Sequence, residues 1–188
     1  MKNKFFILFL ILFASAFASD IPTSAIVKAW KNRNLFSADI TQNSISPIDT
    51  LIETGNIAIR KPDAIFKTKS ELIIFKSGRL YTYTTGSDVG MVSTMESFAY
   101  ADVSLLISEL EMNFMLKLAK TDIGYNLTGI NGTGNIVSFS ASLDEQFIPK
   151  KITWIDLFGY ITEITFENIS IKDKGQNINV PKDIEFLE

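Results

Sequence analysis

The chain has 188 residues, a formal net charge of −3 and a hydrophobic share of 46%, with fifteen phenylalanines but neither cysteine nor histidine. Those two absences exclude Cys and His nucleophiles, Ser-His-Asp triads, disulfides and ordinary zinc sites. The acidic balance argues against general nucleic-acid binding.

The first element is a leader. Met1-Lys2-Asn3-Lys4 is a basic head, Phe5 to Phe13 is a short apolar run, and Ala16-Phe17-Ala18 is an Ala-x-Ala site with the cut expected before Ser19. The run is too short to span a bilayer, which takes about 20 residues. Residues 1–18 are therefore read as a secretory signal peptide and 19–188 as a single domain. No cysteine follows the site, so no N-terminal lipid anchor is expected. Loss of Lys2 and Lys4 makes the mature chain more acidic still. A domain of this length without disulfides relies on its own core.

Thr23 to Asn34 reads as an amphipathic helix, capped by Thr23 or Ser24, with Ile26, Val27 and Trp30 on its apolar face. Phe36, Ala38 and Ile40 then alternate with Ser37, Asp39 and Thr41, which predicts a strand with one apolar face. Ile57 and Ile59 make a second strand that stops at Pro62. Further strands are predicted over 64–68, 71–76, 80–84 and 88–93, with turns at Lys61-Pro62-Asp63, Ser77-Gly78 and Thr85-Gly86. Ala101 to Glu111 breaks the rhythm: Val103, Leu106, Ile107 and Leu110 share a helical face, and Asp102 is a plausible cap. Strands resume over 114–120, 124–130, 135–143, 150–156 and 160–171, with a short one at 178–180. About ten short strands in series suggest an antiparallel meander that curls, with the helices docked on its concave side.

Ordered pieces of this pattern resemble the periplasmic outer-membrane lipoprotein carrier family, LolA. Phe36-Ser37-Ala38-Asp39-Ile40-Thr41-Gln42 is similar to that family's first strand. Gly55-Asn56-Ile57-Ala58-Ile59-Arg60-Lys61-Pro62 is similar to its Gly-x-apolar-x-apolar-basic-basic-Pro strand. Phe75 to Tyr83 resembles the following hairpin, Asp156-Leu157-Phe158-Gly159 through Asn168 the late hairpin, and Val180 to Phe186 the tail. The resemblance implies a mainly β fold with α: an incomplete antiparallel β-barrel of about ten to eleven strands, with helices lidding a hydrophobic cavity. It implies a carrier rather than an enzyme, without cofactor or metal, monomeric and in the periplasm. Its cargo would be triacylated lipoproteins, received from an inner-membrane lipoprotein-releasing ABC transporter and passed to an outer-membrane acceptor or to the outer membrane itself. The demand is large, since three chains of about 15 carbons cost roughly 35 kcal/mol to leave in water.

By the same resemblance the acyl-chain cavity is lined by Phe36, Ile40, Ile57, Ile59 and Ile65 from strands and by Val103, Leu106, Ile107 and Leu110 from the helix. In the family the residue before the proline is usually an arginine that hydrogen-bonds the lid helices. Here it is Lys61, preceded by Arg60. Strand alternation aims Lys61 inward with Ile57 and Ile59, and Arg60 outward. Lys61 and Arg60 are thus the candidate lid latch, with the carbonyls at the end of the lid helix as natural targets; solvated strand-end charges are the alternative. The family's Trp after the proline is replaced by the run Ile65-Phe66-Lys67-Thr68. Trp154 and Ile152 belong to a strand and read as core. A lipid- or lipoprotein-sensing module on the same scaffold is the alternative function.

Overall fold

The computed structural model describes residues 21–96, 101–172 and 178–188. The expected leader lies outside them. Two helices, α1 (Ser24–Trp30) and α2 (Val103–Asn113), interrupt a series of strands. These are β1 (Leu35–Ile45), β2 (Thr50–Arg60), β3 (Asp63–Thr68), β4 (Glu71–Lys76), β5 (Arg79–Thr84), β6 (Val89–Thr94), β7 (Met115–Thr121), β8 (Gly124–Ile130), β9 (Ile136–Leu143), β10 (Pro149–Asp156), β11 (Ile161–Ser170) and β12 (Glu185–Leu187). All twelve join one sheet in the order β12-β6-β5-β4-β3-β2-β1-β11-β10-β9-β8-β7. The sheet does not close on itself, so the fold is an incomplete, mainly antiparallel barrel with two helices. β12 runs parallel to β6.

Register decides which residues share a face, because partners across an antiparallel ladder point the same way. Phe36 pairs with Ile59 and Ala38 with Ile57. That face carries the main core, in which Ile26 and Trp30 of α1 and Ile107 of α2 are buried against Phe36, Ala38, Leu118, Leu127 and Ala141. The helices therefore cover the inner face of β1, β2 and β7–β11. Across β3–β5 a second core lies on the outer face. There Leu72 and Ile74 are buried under Ile178, with Ile65, Tyr81, Val180 and Ile184 packed around them. The chain after Ile178 straps this outer face: the Lys76 ammonium donates to the Ile178 carbonyl at 2.6 Å, and the rings of Tyr81 and Phe186 meet edge to face.

Several elements differ from the sequence reading. α1 ends at Trp30 rather than Asn34, where the Trp30 indole N–H donates to the Phe147 carbonyl (2.8 Å). Thr23 makes no side-chain cap; its hydroxyl donates to Glu111 of α2 instead. β1 continues through its polar stretch up to residue 45 because β2 and β11 flank it there, and β2 from residue 50 is carried by its pairing with β1, β3 reaching only to Gly55. The short strand expected at 178–180 is not one. Ile178 instead buries its side chain on the outer face, and the terminal strand forms at Glu185–Leu187.

Candidate functional site

α2 is the element that roofs the inner face. Asp102 starts it as expected of a cap, accepting the Ser104 N–H at 2.8 Å. Val103, Ile107 and Leu110 fall at i, i+4 and i+7 and turn toward the sheet, yet Ile107 is the one buried residue of the helix. Leu105 and Met112 stay exposed. At its far end the Asn113 side chain accepts from the Thr133 hydroxyl at 3.0 Å, and Glu111 accepts from Thr23. α1 is fastened to the β9–β10 loop by Trp30 and by Arg33, whose guanidinium donates to the Gln146 carbonyl at 2.7 Å while lying over the Trp30 ring.

Lys61 follows β2 directly. Its ammonium lies 2.8 Å from the Asp102 carboxylate, at the N-terminal end of α2. The sequence reading aims it at helix carbonyls. The correction is physical: a carboxylate held at the start of the helix offers a full negative charge, against the partial charge of a terminal carbonyl. Burial pushes the Asp102 carboxyl up, but the hydrogen bond and charge of Lys61 and the N–H groups of Ser104 and Leu105 outweigh it and hold the group below its ordinary value. Arg60 is exposed on the opposite face, in register with Asp63 and Leu35.

The candidate cavity residues divide. Phe36, Ile57, Ile59, Val103, Ile107 and Leu110 meet in the main core. Ile40 is 2% exposed on the same strand face, between Gly55 and Phe166. Leu106 is half-buried and is not part of that cluster. Ile65 is a correction. It pairs with Ala58 and Ile74 and so points to the outer face, under the C-terminal strap, because residue 65 has the opposite parity to Ala64 and Phe66, which face inward with Ile59 and Ile57.

The helices occupy part of the space the resemblance implied as an acyl-chain cavity. The closed pocket among Trp30, Phe36, Ile59, Lys61, Ala101 and Val103 measures about 20 Å³, room for about one water. Trp30, Ile26 and Ile107 pack on the sheet, while Ile57, Ile59, Phe139, Ile152 and Phe166 around them stay half-buried. A solvent-open cleft of about 370 Å³ lies elsewhere, between Ile21-Pro22-Thr23, Glu111 and the start of β7. Sequence reasoning misses the roles of Asp102 as Lys61's partner and of Arg33 as a fastener; a carboxylate at a helix start opposite a strand-end cation is the available signal for the first. Trp154 is half-buried, in register with Phe139 and Thr162.

An open antiparallel half-barrel roofed by two helices, one of them tied down by an ion pair, defines a fold class rather than a particular chemistry. Among solved structures the chain is similar to an uncharacterized conserved protein from Thermus thermophilus, with 9% identity over 87% of this chain and 97% of that one and a TM-score of 0.60. That likeness shows a shared fold. Other similar structures are a LolA superfamily protein from Nitrosomonas europaea (8% identity, 82% of this chain and 96% of that one, TM-score 0.41) and the lipoprotein LppX of Mycobacterium tuberculosis (11%, 84% and 100%, TM-score 0.42). No family model and no curated protein matches the chain. Among the described residues no helix is long and apolar enough to cross a membrane.

Proposed function

We propose that this protein is a non-catalytic carrier that shields the acyl chains of lipoproteins in the periplasm, taking them from an inner-membrane transporter and delivering them to the outer membrane. The observation that supports it most is the way α2 sits on the sheet. Of its eleven residues only Ile107 is buried, and the end nearest β2 is held by the Lys61–Asp102 pair. Such a helix can leave at modest cost, uncovering Phe36, Ile57 and Ile59. Burial of acyl chains, at about 0.8 kcal/mol per methylene, is more than enough to drive it off. Closure then competes with bound cargo and assists release, which a carrier requires as much as capture.

The test is direct. The exported protein is incubated with inner-membrane vesicles bearing triacylated lipoprotein, and the soluble fraction is assayed for a one-to-one complex, then for transfer to outer-membrane vesicles. A soluble complex that contains lipoprotein with its acyl chains supports the reading. A protein that never solubilises lipoprotein overturns it.

A further inference from the structure

We infer that the end of the half-barrel remote from Lys61 is a membrane-docking element, which inserts the tips of two neighbouring hairpins into the interfacial region of a lipid bilayer. The β1–β2 and β10–β11 turns are brought side by side because β1 pairs with β11, with Ile45 opposite Ile161. Together they expose Ile48, Leu51, Ile52, Leu157, Phe158 and Tyr160, with Ile48 96% and Phe158 77% accessible. Behind them Ile155, Ile161 and Ile45 form one cross-strand row on the outer face. Two residues further along, Asn43, Glu163 and Thr153 lie in register, Ile52 continues that row on β2 beside Asn43, and Glu163 is paired with Lys151 at 2.6 Å. The result is an apolar cap on two adjacent tips, backed by polar side chains on β1, β10 and β11.

The turns identify the occupant as a bilayer. A backbone that leaves water must satisfy its polar groups internally, and in both tips most N–H groups are satisfied within the protein. In the β10–β11 turn the Asp156 carboxylate accepts the N–H groups of Phe158 and Tyr160, the Asp156 carbonyl accepts Gly159 N–H, and Leu157 N–H donates to the Asn135 carbonyl. In the β1–β2 turn the Ser46 hydroxyl accepts from Ile48 and Asp49, Ser46 N–H donates to the Asp49 carbonyl, and the Asp49 carboxylate accepts from Thr50. The side chains stand exposed at turn tips, so insertion needs no shape-matched partner. Phenyl and phenol rings beside aliphatic residues suit the headgroup–acyl boundary. With a net charge of −3 and no lysine or arginine in either turn, attachment rests on apolar insertion and not on attraction to anionic lipid.

This inference does not depend on the carrier reading, and its test contains no lipoprotein. The chain as secreted, its mass verified so that no leader contributes, is floated with neutral phosphatidylcholine vesicles. The parent is expected to co-float, equally well in high salt and no better with anionic vesicles. The double variant Ile48→Asp/Phe158→Asp is expected to lose vesicle partitioning by about 100-fold. Ile123→Asp, an equally exposed isoleucine in the β7–β8 turn at the opposite end, should behave as the parent. Phe158→Trp adds a reporter whose emission should shift to the blue on vesicle addition. Because all these side chains are exposed, unchanged circular dichroism is expected in each variant. A parent that stays with the aqueous phase, or a double variant that floats as well as the parent, overturns the inference. So does a parent that self-associates in solution and is made monomeric by the two aspartates without any vesicle binding, which would make the cap an interface between copies.

Discussion

Nζ of Lys61 lies 2.8 Å from Oδ2 of Asp102, while Oδ1 of the same carboxylate accepts the Ser104 N–H at 2.8 Å. One side chain thus starts α2 and ties it to the end of β2. Breaking either contact weakens the other only indirectly, which makes the two roles separable by mutation.

Lys61→Leu removes the tie and leaves the cap. Both partners are about a third exposed, so the pair contributes at most ~1 kcal/mol to stability. On the proposed carrier function the expected phenotype is therefore in transfer: cargo is accepted but released more slowly, because closure no longer competes with it. Arg60→Leu, on the other face, should transfer cargo as the parent does. A Lys61→Leu protein that transfers at the parent's rate while Arg60→Leu is slow would assign the tie to Arg60. Single-turnover transfer to acceptor membranes reads the difference.

Asp102→Ala should cost more stability than Lys61→Leu, since it removes the cap as well as the pair. An N-cap lost to alanine costs typically ~1 kcal/mol. Asp102→Asn keeps an acceptor for Ser104 and should lie close to Lys61→Leu. Urea denaturation of the three variants ranks them.

The acid limb of the stability curve should also respond to position 61. The folded-state carboxyl of Asp102 is depressed, so its contribution is complete above the unfolded value, about pH 4, and is lost as pH falls through the lower folded value. Replacing Lys61 with leucine removes its hydrogen bond and charge and brings the folded value back up. The variant's stabilisation from Asp102 then fades at higher pH than the parent's. Asp144, likewise depressed against burial by the N–H groups of Ile148 and Gln146 and by Lys150, is common to both proteins and does not obscure the comparison. Far-UV circular dichroism across an acid titration at low salt measures the shift.

Ile74 and Leu118 are 0% and 1% exposed, on opposite faces of the sheet. Each truncation to alanine should destabilise by about 2–5 kcal/mol. The two differ in the region they loosen. Ile74→Ala frees the strap after Ile178 and should raise protease cleavage there, whereas Leu118→Ala slackens the inner core beneath the helices. Limited proteolysis read by mass spectrometry separates the two; the same spectra test whether the exported chain begins at Ser19.

The inner face is legible in the sequence where apolar alternation is strict. Phe36, Ala38, Ile57 and Ile59 can be placed because every second residue is apolar, and Asp102 can be named as a cap from the apolar helix after it. Thr41 to Thr54 is poorly legible because Gln42, Asn43, Ser44 and Thr54 carry no hydrophobic period, while the pairing of β1 with both β2 and β11 makes strands of them regardless. Ile65 is misplaced by pattern alone because β3 is apolar on both faces: Ala64 and Phe66 look inward, Ile65 and the rest of the second core outward. No local pattern announces that a distant strap will cover an outer face. How far the helices fill the inner face is equally hidden, since the residues that would line a cavity are the same ones that would fill it.

The parallel β12 and the single bridge of Ile21 to Leu118 bear on a different matter, solubility. An open sheet has two outermost strands whose N–H and C=O groups invite pairing with another chain, the route to aggregation that closed barrels avoid. Here β6 is met by a segment only three residues long, and β7 is met by Ile21, shortly before α1. Short, interrupted partners of this kind use up part of each ladder without presenting a long new one. The half-barrel can thus remain unclosed without its open sides becoming templates for its neighbours.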